Sequence, residues 1–400
     1  MRFPEFTEEW ETKKLGEILE FKNGINATKE QYGSGYKFIN VLDILNNEFI
    51  TYDKIIGSVN VNEEIIDKFP VNYGDILFQR SSETREEVGT TSVYLDKDKT
   101  ATFGGFVIRG KKNGEYEPIF LNKSLKTDLI RNQITSKSGG STRYNIGQEI
   151  LASVTLPLPS LNEQTKIASF LSLIDSRIQT QNKIIGQLET LIKGLSEKIY
   201  SQKIRFKKFT EKWEVKKLGE IATFYSGGTP LTSKREYFNG NIPFIRSGEI
   251  NCGKTEQFIS ELGLKNSSAK IVEVGDILYA LYGATSGEIG LSKIRGAINQ
   301  AVLCIKSDQN HYFIYSYLSY KKESIVSRYL QGGQGNLSAE IVKQIKIYIP
   351  ALEEQINIAG LLSTIDQKLQ IEKKILIKHQ SQKQYLLQNL FSRSLTKPTI

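Results

Sequence analysis

The chain has 400 residues, 39% hydrophobic and 24% charged, which is typical of a folded protein with two or three domains. Two cysteines, Cys252 and Cys304, and two histidines exclude a disulfide framework and leave no pair with zinc-ligand spacing. The net charge of +9 fits a polyanionic partner, and the lack of a signal-peptide pattern or a bilayer-length apolar run predicts a cytoplasmic protein without membrane contact.

The first segment of the chain is repeated halfway along the sequence. Residues 2–18 and 205–221 are identical at 13 of 17 positions. Further pairs follow in the same order: Gly74–Leu77 with Gly275–Leu278, Gly89 with Gly290, and residues 159–175 with residues 350–366. This ordered recurrence predicts one unit of about 200 residues written twice.

The first part of each unit predicts an α+β domain, over residues 1–160 and 204–351. Short β-type runs alternate with Gly, Asn and Asp turn signals and a few short helical stretches. The β-type runs are Tyr36–Val41, Asp75–Phe78, Phe103–Ile108, Ile242–Ile245 and Ala301–Ile305.

A long helix is predicted after each domain, over residues 161–203 and 352–395, with a tail at 396–400. Apolar residues recur there in steps of three and four, which is a heptad seam. A helix of about 38 residues spans roughly 57 Å, more than one small domain covers, so we expect the two helices to pair antiparallel about a pseudo-two-fold axis. The alternative is that each helix packs on its own domain. Polar residues interrupt the seam at Gln181, Glu372, His379 and Lys383.

One segment, Gly248–Thr255, matches the G-x-x-x-x-G-K-T pattern of a phosphate-binding loop. The residues after it do not predict a long helix, and the equivalent place in the first half has neither Gly nor Lys, so we interpret the segment as a polar turn. The chain has no Pro-Pro motif of an amino-methyltransferase and no clustered acids of a metal nuclease. Asp75 and Asp276 are predicted to bond turn backbone. We therefore expect no catalytic residue, cofactor or metal on this chain.

The two halves differ in the segments that follow the shared Gly-Asp-Ile-Leu motif. They also differ in the segments that follow the pairs Gly139-Gly140 and Gly332-Gly333. Two related domains on one chain can read two different half-sites of a DNA duplex, and such differing tips would make the contacts. The candidates in the first half are Arg80, Ser81, Ser82, Thr84, Arg85, Arg143, Tyr144 and Asn145. Those in the second half are Arg246, Tyr282, Thr285, Ser286, Arg295, Arg328, Gln334 and Asn336.

The order of motifs resembles the specificity subunits of type I restriction-modification systems. The pattern is W-x-x-x-x-L-G-E-I, then G-D-I-L, then a Gly-rich stretch, then P-x-L-x-E-Q-x-x-I-A before a long helix. It covers nearly the whole chain twice, at Trp10–Ile18 and Trp213–Ile221, Gly74–Leu77 and Gly275–Leu278, and Pro159–Ala168 and Pro350–Ala359.

This resemblance implies a non-catalytic DNA-binding subunit with two target recognition domains and a coiled-coil spacer. It implies a bipartite, asymmetric DNA site, and partners that are two methyltransferase and two restriction-translocase subunits. Those partners would methylate adenine and cut DNA, and they would bind S-adenosylmethionine, ATP and Mg. The helices Glu163–Gln202 and Glu354–Arg393 would dock the methyltransferase.

If the paired helices act as a spacer, inserting about four residues near Ser201 should lengthen the gap between half-sites, because one domain moves along the helices. A free-standing DNA-binding repressor or architectural protein is the alternative function, and a pull-down of a methyltransferase distinguishes the two.

Overall fold

The computed structural model describes residues 2–140, 142–330 and 336–391, and the chain divides into two compact units. The first unit comprises residues 1–180 and 376–400, and the second comprises residues 181–375. Each unit therefore contains one mixed domain together with part of both long helices. The candidate Gln334 and the predicted tail at 396–400 lie outside the described residues.

The first domain is built on a mixed sheet with strand order β2-β10-β6-β8-β4, beside a smaller sheet β5-β3-β9. Its strands are β1 (Glu11–Lys14), β2 (Leu19–Asn23), β3 (Tyr32–Ile39), β4 (Phe49–Ile50), β5 (Ser58–Val59), β6 (Ile76–Gln79), β7 (Ser81–Ser82), β8 (Thr91–Tyr94), β9 (Thr102–Phe103), β10 (Val107–Lys112), β11 (Tyr144–Asn145) and β12 (Thr155–Leu158). Its helices, with the long one that follows, are α1 (Leu15–Ile18), α2 (Val41–Asn46), α3 (Glu63–Lys68), α4 (Pro118–Ser124), α5 (Asp128–Lys137), α6 (Gln148–Ala152) and α7 (Leu161–Tyr200).

The second domain repeats this plan, with a sheet of order β14-β21-β18-β19 and another of order β16-β15-β20-β17. Its strands are β13 (Glu214–Lys217), β14 (Ala222–Ser226), β15 (Phe238–Ile245), β16 (Phe258–Ile259), β17 (Lys270–Val272), β18 (Ile277–Ala280), β19 (Ile289–Leu291), β20 (Gly296–Ile298), β21 (Val302–Ser307) and β22 (Lys346–Ile349). The remaining helices are α8 (Leu218–Ile221), α9 (Glu261–Lys265), α10 (His311–Leu330), α11 (Ala339–Lys343) and α12 (Leu352–Phe391).

Strand β6, which carries the Gly-Asp-Ile-Leu motif, is buried on both of its faces. Ile76 and Phe78 point into the cluster that contains the helices, whereas Leu77 points into a second apolar cluster with Tyr94 and Phe103. A strand covered on both faces is apolar over most of its length, as Ile76, Leu77 and Phe78 are here. The strand turns sharply at its start, where Gly74 has a φ of +92°.

An Arg–Glu–Trp contact joins the start of each domain to the helix that follows it. Arg2 donates from Nε and Nη2 to the two oxygens of the buried Glu163, at 2.7 and 2.6 Å, and Trp10 Nε1 donates to the same carboxylate at 3.1 Å. The same contact recurs, with distances of 2.7, 2.7 and 3.2 Å, among Arg205, Trp213 and Glu354. The near-identity of residues 2–18 and 205–221 thus has a structural reason.

Helices α7 and α12 pack antiparallel, which confirms the predicted architecture of two α+β domains with paired long helices. Within the second unit Gln181 contacts Glu372, whereas Ile199 shares a core cluster with Ile358, so residues further along α7 lie against residues nearer the start of α12. Although both helices have 40 residues, no helix within the described ranges is apolar enough over a sufficient length to cross a membrane.

Three of the four seam-interrupting residues have partners on the other helix. Gln181 is 7% exposed and donates to the carboxylate and to the backbone carbonyl of Glu372. Lys383 contacts Asp175 at 2.6 Å. A pair of polar residues at matching positions satisfies both groups and fixes the register of the helices.

Three expectations from the sequence were wrong in detail. The run Phe103–Ile108 is not one strand, because the turn Gly104–Phe106 separates β9 and β10, which belong to different sheets. Gly89 corresponds to Gly287 rather than to Gly290. The N–H of Gly89 donates to the Gln79 carbonyl and that of Gly287 to the Ala280 carbonyl, each two residues after the Gly-Asp-Ile-Leu motif, and both glycines have a positive φ. Helix α10 has 20 residues where only short helices were expected.

Candidate nucleic-acid interface

The two variable segments of the first domain meet in space. Strands β7 and β11 pair antiparallel, with Ser82 opposite Tyr144 and Ser81 opposite Asn145. The backbone N–H of Ile146 donates to the carbonyl of Arg80 at 3.0 Å. The structure therefore brings together candidates that lie about 60 residues apart in the chain, as loops on a sheet scaffold often do.

A basic residue of α5 holds the loop that follows β7. Arg131 Nη2 donates to the carbonyls of Glu86 and Val88, each at 2.7 Å. At the loop's end Gly89 has a φ of +69°, and a Cβ there would lie 2.5 Å from Ile134 Cγ2. Only glycine fits such a position, so the backbone conformation at the end of the loop is fixed. The loop exposes Thr84 and Arg85 to solvent.

The arginines of this surface differ in how many of their donors are in use. Arg85 donates to the carbonyl of Thr135 at 3.1 Å and stacks over Tyr144, and Arg143 lies 4.0 Å from Glu83. Arg80 donates only from Nη1, to the Gly105 carbonyl at 3.2 Å, and forms no ion pair with any residue the structure describes. Arg80 and Arg85 therefore each use one side-chain donor, and Arg143 makes only the ion pair.

The second domain repeats this junction with different side chains. The N–H of Leu337 donates to the carbonyl of Leu281 at 2.9 Å, the bond that Ile146 makes to Arg80 in the first domain. This places Asn336 where the first domain has Asn145. Beside Asn336 begins the loop that carries the exposed Tyr282 and the half-buried Thr285 and Ser286.

The loop of the second domain is also anchored by a basic residue, since Lys322 of α10 contacts Glu288 at 2.5 Å. Ser286 Oγ donates to the Leu281 carbonyl at 2.9 Å, which fixes this side chain inward. Gly287 ends the loop at a φ of +88°.

The three candidate arginines of the second domain have different surroundings. Arg246 binds the carboxylates of Glu249 and Glu256, and the hydrogen bonds with these acids raise its pKa. Arg295 pairs with Glu273, which precedes β18, whereas Tyr282 follows β18, so Arg295 lies at the opposite end of the strand. Arg328 is exposed on α10 and lies over the Tyr329 ring.

The motif acids serve backbone groups. The Asp75 carboxylate accepts from the N–H of Asn72 and of Lys112, and Asp276 accepts from the N–H of Glu273. Burial raises the pKa of Asp75. The segment Gly248–Thr255 leads into the two-residue strand β16, and not into the helix that a phosphate-binding loop requires.

Sequence reasoning missed one part of this surface, the turn Gly104–Phe106 next to Arg80. The turn borders a cavity of about 200 Å³ that Tyr32 and Asn40 also line. Phe106 is 64% exposed at its rim. The available signal was the Gly104-Gly105 pair, which stands where the second domain has Asn299-Gln300.

The relatives of this chain include specificity subunits of type I restriction enzymes. Residues 7–190 and 210–378 match the type I restriction modification DNA specificity domain. The proposed specificity subunit of the type I restriction enzyme MjaX from Methanocaldococcus jannaschii is 30% identical over 392 residues, covering 92% of this chain and 90% of that protein. The MjaIX specificity subunit of the same organism is 27% identical over 345 residues, covering 80% of this chain and 78% of that protein.

The fold has solved counterparts of the same length. The type I restriction-modification S subunit from M. genitalium superimposes with a TM-score of 0.66 at 20% identity, covering 99% of this chain and 100% of that one. A chain from a structure of type I restriction-modification complex assembly gives a TM-score of 0.57 at 17% identity, covering 96% and 98%. Since the family domain matches both halves of the sequence, the chain belongs to the family of type I restriction-modification DNA specificity subunits.

Proposed function

We propose that this chain reads a bipartite, asymmetric DNA site, with one domain on each half-site, and directs adenine methylation and restriction by partner subunits. The supporting observation is that two domains share one framework but carry different side chains at matching positions next to the variable loops. The first domain has Arg80, Gly105 and Phe106 where the second has Leu281, Gln300 and Ala301. A shared framework that carries different side chains at its DNA-facing loops suits two different half-sites.

Domain exchange tests this function. Residues 1–160 are replaced with those of another family member, and methylated adenines are mapped in DNA exposed to the complex with its methyltransferase. We expect one half-site to change and the other to stay the same. An unchanged methylated sequence would show that this domain does not read DNA.

The paired helices are the proposed docking surface for methyltransferase subunits, one on each unit. Apolar side chains remain exposed on both helices although their seam is filled. In the first unit they are Leu173 (63%), Ile377 (61%) and Tyr385 (55%), and in the second unit Leu191 (47%), Ile356 (52%) and Ile371 (56%). Exposed apolar rows on a rigid element are typical of protein interfaces.

Substitution on these rows tests the docking surface. Ile371→Glu and Ile377→Glu should each reduce co-purification of the methyltransferase, because a charge is then buried at the contact. The control is Lys378→Glu, which changes charge at a neighbouring exposed polar position. Co-purification that is equally strong for all the variants would mean that the methyltransferase docks elsewhere, whereas no co-purification with the wild type would favour a free-standing DNA-binding protein. In this proposal S-adenosylmethionine, ATP and Mg bind to the methyltransferase and restriction-translocase subunits.

A further inference from the structure

Arg80 is held at both ends by the turn Gly104–Phe106. Its backbone N–H donates to the carbonyl of Phe106 at 2.9 Å, and its Nη1 donates to the carbonyl of Gly105 at 3.2 Å. A guanidinium has five N–H donors in a rigid planar fork. One bond therefore orients the fork and leaves most of its donors unused.

The turn that holds this fork also lines an open recess. A Cβ on Gly105 would lie 2.0 Å from Asn26 Oδ1, and one on Gly104 would lie 3.0 Å from the Phe38 ring, so a larger residue at either position would crowd its neighbours. The recess has a volume of about 200 Å³. Its rim carries two exposed apolar side chains, Phe106 at 64% and Leu42 at 67%.

The second domain has the same backbone junction without the cation. Leu281 donates its N–H to the carbonyl of Ala301 at 2.8 Å, the counterpart of the bond between Arg80 and Phe106. Leu281 is 1% exposed. The neighbouring Gln300 carries an amide and accepts from Thr229 Oγ1 at 2.7 Å. The chemistry at this matched position thus changes from a cationic fork to a neutral amide.

We propose that Arg80 determines specificity by reading a guanine in the first half-site. This rests on the proposed function. Guanine presents O6 and N7 side by side in the major groove, and an arginine fork bonds both. A phosphate also accepts from arginine, but phosphate contacts suit solvated side chains such as the 62% exposed Arg143. Arg80 is half-buried and is held by a turn whose Phe106 is 64% exposed, which fits a base edge better than a charged phosphate.

The test uses the complex of this chain with its methyltransferase. The recognised sequence is first mapped from methylated adenines, and duplexes are then made with each guanine replaced in turn by 7-deazaguanine, which lacks N7. At one guanine of one half-site the wild-type complex should bind about 5- to 150-fold more weakly. The complex with Arg80→Ala should bind the unmodified duplex as weakly, with no further loss at that guanine.

Two further variants keep the result interpretable. Arg80→Lys retains the charge without the fork and should lose most of the discrimination at that guanine. Lys97→Ala removes one charge beside Tyr73, at the other end of β6, and should leave the preference at every base unchanged. Normal recognition of the other half-site by the Arg80 variants shows that they are folded.

Several outcomes would overturn the assignment. These are a first half-site without guanine, a loss in Arg80→Ala that is uniform over all base changes, or undiminished sensitivity to 7-deazaguanine in that variant. A wild-type complex that binds all sequences equally would instead contradict the proposed function itself.

Discussion

Four charged side chains of the first unit form one ion cluster. Lys123 is 4% exposed and contacts Glu48 at 2.6 Å and Asp175 at 2.5 Å, while Lys383 contacts the same two acids at 3.1 and 2.6 Å. Burial alone would raise the pKa of Glu48, but the charges and hydrogen bonds of Lys123 and Lys383 outweigh it and lower that pKa to about 2. The cluster therefore favours the ionised carboxylate.

This cluster predicts a stability that depends on acid pH. A carboxyl group with a lowered folded-state pKa stabilises the fold fully above its unfolded pKa of roughly 4.3, and this contribution is lost as the pH falls towards 2. Glu48→Gln should lower the free energy of unfolding at pH 7 by about 1–2 kcal/mol, limited by the partial exposure of Glu48.

Thermal unfolding of the wild type and of Glu48→Gln between pH 6 and pH 3 checks this prediction. The variant should lose less stability on acidification than the wild type. Asp53→Asn is the control, since Asp53 is 84% exposed and pairs only at the surface with Lys99. Parallel pH profiles for wild type and Glu48→Gln would contradict the role of the cluster.

At the scale of elements, the Arg–Glu–Trp contact fixes each domain to its helix. Glu354 is buried and accepts both donors of Arg205, so Glu354→Gln leaves a cation without its counter-charge. We expect a loss of about 3 kcal/mol in the free energy of unfolding of the second unit. The adjacent Glu353→Gln should cost less than about 0.5 kcal/mol, because Glu353 pairs with Lys208 at the surface.

Urea titration of both variants measures this difference. Similar losses for Glu353→Gln and Glu354→Gln would show that the contact does not stabilise the domain on its helix. Trp213→Phe should lose about 1 kcal/mol, the value of one hydrogen bond, since its ring contact with Phe313 is kept.

The polar pair on the helix seam gives a second prediction for elements. Gln181→Leu leaves the Glu372 carboxylate facing an apolar residue, and it should cost about 1–3 kcal/mol. Adding Glu372→Leu should restore the stability, because two apolar residues then complete the seam. The double-mutant cycle measures the coupling energy, and additive effects would mean that the two side chains act independently.

At the scale of the whole molecule, the structure changes where an insertion is expected to lengthen the DNA spacer. Ile199 and Tyr200 at the end of α7 lie in the core of the second unit, and Arg205 is tied to Glu354. Four residues inserted at Ser201 should therefore loop out and leave the DNA spacer unchanged. This revises the expectation drawn from the helix pattern alone.

Matched insertions should lengthen the spacer instead. The compact units divide α7 after Thr180 and α12 after Ile375, so one heptad added at both places leaves the contacts within each unit intact. Seven residues add roughly 10 Å of helix, or about three base pairs. Methylation mapping should show unchanged half-sites with a longer gap, and an insertion in α7 alone should destabilise the protein. An altered half-site would contradict a spacer role.

The sequence by itself determined the duplication, the α+β character of each half, the two long helices and the family. These features follow from repeated letters and from apolar periods, which are local along the chain. It also indicated that Asp75 and Asp276 bond turn backbone, because a buried turn of this kind needs an acceptor at that position.

Only the tertiary structure decided which candidates act together. Arg80 and Asn145 meet because β7 and β11 pair, and Arg295 is engaged by Glu273, which lies 22 residues earlier in the chain. The open recess beside Arg80 depends on a turn between two sheets, whereas the sequence pattern there predicts one strand. Side-chain availability is set by neighbours far along the chain, and no local pattern records those neighbours.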